Sequence, residues 1–452
     1  MLNYIWLALV LLAVLIGGWN DRLKDVTDGA FDGAKTAVTI ALGLIGVMAL
    51  WLGVMRLAER SGLVQKIARA LRPLMRRLFP QVPPHHPAMG AMVMNMAANM
   101  LGLGNAATPL GLRAMRDLES LNPRPGIATN AMCTFLAINT ASVQLIPATA
   151  IAILAASGST RPTAIVGTAL LATLCAATTA IIAVKILEKL PWFHVDRGVD
   201  AVAAVASDDQ RAAVQAGTVT ELPAVIDDRG YNKTAVRPHI FGRIAVAALL
   251  LFFAAMFVRI VWPQAFGFAP ATETNAFVRG VNALSLLAIP FLLSFFPIYA
   301  AARGVKVYDE FVEGAKEGFN VILRIIPFLV AMLVAIGMFK GAGGIDLLTR
   351  LLAPVLGPLH FPPDLLPLAL MRPLSGSATL ALLTDIVHRL GPDNIVSLMA
   401  ATIYGSTETT FYVAAVYFGS VGIKQTRHAI PAGLLADAVG VIASIVICRA
   451  VL

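Results

Sequence analysis

The stretch YGSTETTFYV, Tyr404 to Val413, places a carboxylate, Glu408, among the hydroxyls of Ser406, Thr407, Thr409, Thr410 and Tyr412. The run around it, Ile395 to Gly419, is otherwise mostly apolar. Oxygens of this kind ligate a coupling ion or a polar solute. An acid inside a membrane costs at least ~2.5 kcal/mol on insertion scales, so it faces the bundle interior and is usually functional. The plainer alternative is a carboxyl kept protonated or hydrogen-bonded to its neighbours for packing. A second stretch, INTASVQLIP, sets Asn139, Thr140, Ser142 and Gln144 ahead of helix-breaking Pro147, in the middle of the apolar run Thr129 to Leu154.

Two further segments are polar without being hydrophilic. NMAANMLGLGNAATPLGL carries Asn95, Asn99 and Asn105, which fit the lining of a polar cavity. MRPLSGSATLALLTD carries Ser375 and Ser377 between Arg372 and Asp385. Arg372 suits either a substrate carboxylate or an ion pair with a nearby acid, and the pair is the preferred reading. Asp437, in GLLADAVGV, lies within a last apolar run. Other chemistries find little footing. Five methionines between Met89 and Met100 could hold Cu(I), but without Cys or His at regular spacing they read as packing. His85 and His86 sit in a Pro-rich loop and read as exposed, and Cys133, Cys175 and Cys448 show no metal spacing. No Walker loop, dinucleotide fingerprint, HExxH or nucleophile elbow is present, so neither an enzyme nor a cofactor is expected.

The elements that must position these residues are membrane helices. The chain is 58% hydrophobic and 13% charged, with a mean hydropathy of +0.77. Nine runs approach the ~20 residues that span a bilayer. They are Tyr4–Gly18, Thr36–Met55, Thr129–Leu154, Ala164–Leu187, Ile240–Val261, Val281–Ala300, Phe319–Phe339, Val396–Gly419 and Ile430–Ile447. The first is read as retained rather than as a signal peptide. Seven Lys and Arg residues between Arg56 and Arg77 alternate with leucine and isoleucine, the pattern of a basic helix lying on a membrane surface. The net charge of +9 is therefore assigned to lipid and not to nucleic acid. The positive-inside rule puts that helix, the N-terminus and the 191–237 connection in the cytoplasm and the C-terminus outside.

The chain also repeats itself. From Gly33 and Gly314 onward two stretches align without a gap at a constant offset of 281, pairing Lys35 with Lys316, Gly62 with Gly343, Arg69 with Arg350 and Pro73 with Pro354. PPHHPAMGAM (Pro83) matches PPDLLPLALM (Pro362) in form, and TFLAINTASVQLIPA (Thr134) aligns with TIYGSTETTFYVAAV (Thr402), setting Thr140 opposite Glu408. Five crossings separate equivalent points, which inverts the second copy, a common transporter design. The basic stretch of copy one is matched in Gly337–Pro358 by only Lys340 and Arg350, as an external segment requires. In each copy a segment too short for two crossings, Pro87 to Leu118 and Pro367 to Leu390, reads as a re-entrant hairpin with its tip at Gly102–Thr108 or Ser375–Thr379. The expected fold is an all-α polytopic membrane protein of two inverted-topology repeats, each with a re-entrant hairpin and a broken transmembrane helix. The first repeat covers 1–190, a cytoplasmic linker 191–237, a connecting helix 238–262 and the second repeat 263–452.

LGLGNAATPLGLRAM with TFLAINTASVQLIPAT resembles the spore maturation protein A family. RPLSGSATLALLTDI and YGSTETTFYVAAVYFGSVGIKQTRHAIPAGLLADAVG resemble the spore maturation protein B family. The chain is similar to the two fused, and through them to the nucleoside recognition, or gate, domain found in concentrative nucleoside transporters and ferrous iron transporter B. The resemblance implies paired hairpins and broken helices. The expected function is a secondary transporter in the cytoplasmic membrane for an unidentified small polar solute, with an ion coupling left open. The site would be built from Asn95, Asn99, Asn105, Asn139, Thr140, Gln144, Ser375, Ser377, Ser406, Thr407, Glu408 and Thr409. The alternative is a non-transporting scaffold or channel-like subunit of a partner complex. Expected partners are the solute or ion and the bilayer, with homo-oligomerisation left open.

Overall fold

The computed structural model describes residues 2–102, 104–193, 240–266, 276–344, 347, 350 and 361–452, with side chains except at 2–5, 104–106, 240, 265, 324, 325 and 328. Most of the linker, the 351–360 stretch with Pro354, and the Asn105 side chain therefore lie outside the described residues. Among the described residues the regular elements are all helices. The first half holds α1 (Leu2–Trp19), α2 (Leu23–Arg60), α3 (Leu63–Leu78), α4 (Pro87–Met100), α5 (Gly104–Glu119), α6 (Asn130–Ala141), α7 (Ala148–Ala156) and α8 (Ile165–Leu187). A lone helix, α9 (Ile240–Val261), follows. The second half holds α10 (Ala276–Ala302), α11 (Val307–Gly341), α12 (Leu366–Met371), α13 (Gly376–Leu390), α14 (Ile395–Ser406), α15 (Thr410–Gly419) and α16 (Ala429–Val451).

Five helices, α2, α8, α9, α10 and α16, are long and apolar enough to cross a membrane, and the chain is a multi-pass membrane protein. Of the other four expected spans, two are interrupted by unwound backbone, between α6 and α7 and between α14 and α15. The remaining two, in α1 and α11, contain shorter apolar stretches, Trp6–Trp19 and Leu329–Gly341. Helices α2 and α11 far outrun their apolar stretches. At 38 and 35 residues they are roughly 57 and 52 Å long against a hydrocarbon core of about 30 Å. They pack side by side in opposite directions: Asp25 meets Gly341, Gly29 meets Gly337, Gly33 meets Leu333, Ala49 meets Gly318 and Leu52 meets Gly314. Each contact is backbone on backbone, which only the absent Cβ of glycine permits. Beyond the apolar zone Arg56 reaches Glu310 at 2.8 Å and Glu317 at 2.9 Å. These pairs are partly exposed and add at most about 1 kcal/mol each.

The expected surface helix is shorter than its basic stretch. Arg56 and Arg60 belong to α2, and Gly62 at φ 76 turns the chain into α3. There Val64, Ala68 and Met75 are buried while Lys66, Arg69, Arg72, Arg76 and Arg77 are exposed. His86 is more than an exposed loop residue, because its Nδ1 accepts from the Ala88 amide and caps α4. Helices α4 and α5 form one hairpin, α12 and α13 another, and both turns are tighter than the sequence suggested. The first turn lies between Met100 and Gly104 and the second at 372–375, and Thr108 and Thr379 are already helical. Ser375 Oγ accepts from Ala378 N, and the Thr379 hydroxyl bonds back to Ser375 O. The loop after α5 joins the loop after α15 through Lys424 N to Gly126 O and Ala128 N to Gln425 O. The loop after α13 joins the loop after α7, where Asp393 accepts from Ser159 Oγ, Thr160 N and Thr160 Oγ1.

Candidate functional site

The two unwound segments are held open by the helices behind them. Helix α6 ends at Ser142, a non-glycine residue at φ 39, a conformation that costs an L-residue about 1–2 kcal/mol. Thr173 on α8 stabilises it by donating its hydroxyl to the carbonyls of both Ala141 and Ser142, at 3.0 and 2.8 Å. These are carbonyls that the ended helix leaves without intrahelical partners. In the second half Thr407 is extended, at φ −140 and ψ 171. Here α16 supplies Asp437, whose Oδ2 accepts from the Thr410 hydroxyl at 2.5 Å. Gly433 and Gly440, on the turns either side of Asp437, let the break lie directly on α16. A Cβ at Gly433 would stand 2.8 Å from Thr410 Cγ2, and one at Gly440 2.6 Å from Thr407 Cγ2.

The breaks touch each other. Glu408 N donates to Thr140 O at 2.7 Å, joining the two residues that the internal alignment sets opposite one another. Gln144 Nε2 then reaches Glu408 Oε1 at 3.3 Å. Each hairpin turn is tied to a break as well, through Leu145 N to Met100 O and Phe411 N to Pro373 O, both 3.0 Å.

The expected site residues fall into two groups of different character. In the first half their bonds go to backbone carbonyls, to Tyr417 and to one another. Asn99 Nδ2 donates to Asn139 Oδ1 at 2.8 Å, and Asn139 Nδ2 donates to Phe135 O at 2.9 Å. Asn95, fully buried, donates to Ala107 O at 2.7 Å and to the Tyr417 hydroxyl at 3.2 Å. The Thr140 hydroxyl bonds back to Leu136 O. In the second half the group opens onto space. A cavity of about 80 Å³ is lined by Gln144, Thr149, Arg372, Gly376, Tyr404 and Glu408. A wider groove of about 900 Å³ shares Gly376 and Glu408 with it and runs along Ser375, Ser377, Thr409 and Tyr412. Ser406 is buried away from both, bonded to Ile403 O and to the Ser444 hydroxyl.

Arg372 does not form the expected ion pair. Only 2% exposed, it donates to Tyr404 O at 3.0 Å and to the Thr409 hydroxyl at 3.3 Å, and its guanidinium lies 5.1 Å from the Tyr404 ring centre. The nearest acids along the chain, Asp364 and Asp385, are both taken by Arg389, at 2.9 and 3.0 Å. Sequence reasoning gave no role to Tyr404, Tyr417, Thr149 or Thr173. A lone hydroxyl in an apolar helix carries no spacing signal; Asp437, a charge in an apolar run, does.

A helical membrane protein with two paired breaks and two hairpins is the class these features define. The profile of the Gate family, described as nucleoside recognition, matches residues 41–188 and 322–424, so that each matched part contains one broken helix. The chain belongs to this family. It is also similar to two proteins of Bacillus subtilis (strain 168), which match different halves of it. Spore maturation protein A is 47% identical over 182 residues, covering 40% of this chain and 93% of that protein. Spore maturation protein B is 46% identical over 167 residues, covering 37% and 94%. One polypeptide thus joins sequences similar to both.

Proposed function

We propose that the chain is a secondary transporter of the cytoplasmic membrane for a small polar solute, with its site where the two broken helices cross. The observation that carries this reading is the bond from Glu408 N to Thr140 O beside a cavity lined by Glu408, Gln144 and Arg372. Unwound backbone at membrane depth is tolerated where it lines a polar cavity, and paired breaks are how secondary transporters build one. The halves have inverted topology in this reading, with the hairpins re-entering from opposite faces. The reverse pairing of α2 with α11 supports it, because two helices aligned at one offset and packed antiparallel fit a two-fold axis lying across them. The loop contacts agree, since the hairpin α4/α5 returns to the loop after α15 and α12/α13 to the loop after α7.

One observation favours a scaffold instead. The amides of Asn95, Asn99 and Asn139 bond to Tyr417, to one another and to backbone carbonyls, a network that holds no unpaired charge, although Asn95 Oδ1 is left without a partner. Thiol labelling in oriented vesicles separates the two, using single cysteines on a background lacking Cys133, Cys175 and Cys448. A transporter leaves Ser377→Cys reachable by a membrane-impermeant maleimide, with Arg69→Cys labelled from the cytoplasm and Arg350→Cys from outside. Protection of Ser377→Cys from both faces, or labelling of the two arginine positions from one face, overturns the reading.

A further inference from the structure

Two opposite charges line the small cavity without pairing. Arg372 sits in the turn between α12 and α13, almost wholly buried, and its Nε has no hydrogen-bond partner. Glu408, half-buried, accepts from Gln144 at 3.3 Å. Among the described residues neither forms an ion pair, with each other or with any other group. Asp437 is near enough to feel the charge of Arg372 but makes no ion pair with it, and a guanidinium and a carboxylate facing one space without a directly paired counter-charge are costly unless an occupant supplies both.

The two ends of the cavity differ in sign. Gly376, the first residue of the 15-residue helix α13, lines the cavity with Arg372, so the positive end of the helix adds to the guanidinium. The other end is formed by the Glu408 carboxylate and the Gln144 amide. The geometry points to a small zwitterion as the occupant, its carboxylate against Arg372 and the first turn of α13 and its cationic amine against Glu408. The cavity's 80 Å³ holds only a few water-sized volumes, at roughly 10–15 Å³ each. The class is therefore that of the smallest amino acids, and a nucleoside does not fit without opening. The wider groove that shares Gly376 and Glu408 gives a route to the amine end.

This inference rests on the proposed solute site. Its test uses the purified full chain in detergent, with glycine and alanine, the half-ligands acetate and methylamine, and adenosine. Binding is read by melting temperature and by titration calorimetry. Glycine or alanine should bind saturably, with acetate and methylamine at least about tenfold weaker, since each charge-assisted hydrogen bond contributes about 1.5–3 kcal/mol. Glu408→Gln should abolish the preference for glycine over acetate while leaving acetate binding in place. Arg372→Gln risks misfolding because it also frees Tyr404 O, so Glu408→Gln decides. Absence of glycine and alanine binding to a cooperatively melting protein, or unchanged glycine affinity in Glu408→Gln, overturns the inference. Glu408-dependent uptake of another solute into proteoliposomes would also overturn it and leave transport standing. Zwitterion binding without uptake would keep it and remove transport.

Discussion

Gly337→Ala tests the long pairing of α2 with α11. A Cβ built on Gly337 falls on the carbonyl oxygen of Gly29, far inside van der Waals contact, and one on Gly29 falls on Gly337 O. Alanine at either position forces the helices to part by roughly 1 Å, and a gap of that size forfeits a quarter to a half of each dispersion contact. The neighbouring approaches, Asp25 to Gly341 and Gly33 to Leu333, lie one turn away and open with it. Overpacking of this kind costs about 1–3 kcal/mol, against about 1 kcal/mol returned by the better helix propensity of alanine. Gly46 is the control, on α2 with Gly29 and with nothing within 4 Å of its would-be Cβ. Gly46→Ala should leave the melting temperature in detergent unchanged or raised, and Gly337→Ala should lower it. The double variant Gly29→Ala/Gly337→Ala should be less damaging than the two single losses added, because the first alanine has already parted the helices. Equal melting of Gly337→Ala and Gly46→Ala would refute the backbone contact.

Two further outcomes follow from other contacts. Thr173→Val keeps shape but leaves Ala141 O and Ser142 O without the hydroxyl, costing about 1–3 kcal/mol, whereas Thr178→Val, an exposed hydroxyl on the same helix, should be near neutral by the same melt. His428 lies at the start of α16, outside the spans, and burial, with Arg427 and Lys185 nearby, lowers its pKa from 6.5 to about 4. Its folded value lies below its unfolded one, so its stabilising share is complete above pH 6.5 and is lost as pH falls toward 4. The melting temperature should therefore drop across that window, and His428→Phe should flatten the drop; a slope unchanged by the substitution would assign it elsewhere.

Much of the frame was legible because it depends on long-range patterns. Hydropathy located the apolar segments, and Pro147 together with the cluster Ser406–Thr410 announced the two breaks. The offset of 281 related α2 to α11 before any contact between them was visible, and the alignment of Thr140 with Glu408 named the residues that touch. The turns were less legible. Small residues mark a tip only to within a turn of helix, because the Ser375 hydroxyl caps α13 by a local bond that composition does not reveal. Helix ends were missed for a related reason: α2 runs on to Arg60, past its apolar stretch, because α11 lies alongside and takes up Arg56.

Arg372 shows where pattern reasoning stops. A buried arginine with acids such as Asp385 in the same segment is most simply paired, and pairing would have closed the site. Instead the turn aims its guanidinium at a carbonyl, a hydroxyl and an aromatic face, none of which neutralises it. The corresponding polar centre of the first half carries asparagines, which are uncharged, bond to one another and to backbone carbonyls, and need no counter-charge. Two halves of one pattern therefore diverge in what they leave unpaired: a neutral amide oxygen, Asn95 Oδ1, in the first, and a guanidinium and a carboxylate facing a shared space in the second. If the halves descend from one unit, the ligand-binding asymmetry arose by placing charge in only one of them. Removing the charge from that half, as in Glu408→Gln, should then make its centre behave like the closed first one, folded and melting no lower, but with no preference left for a doubly charged occupant.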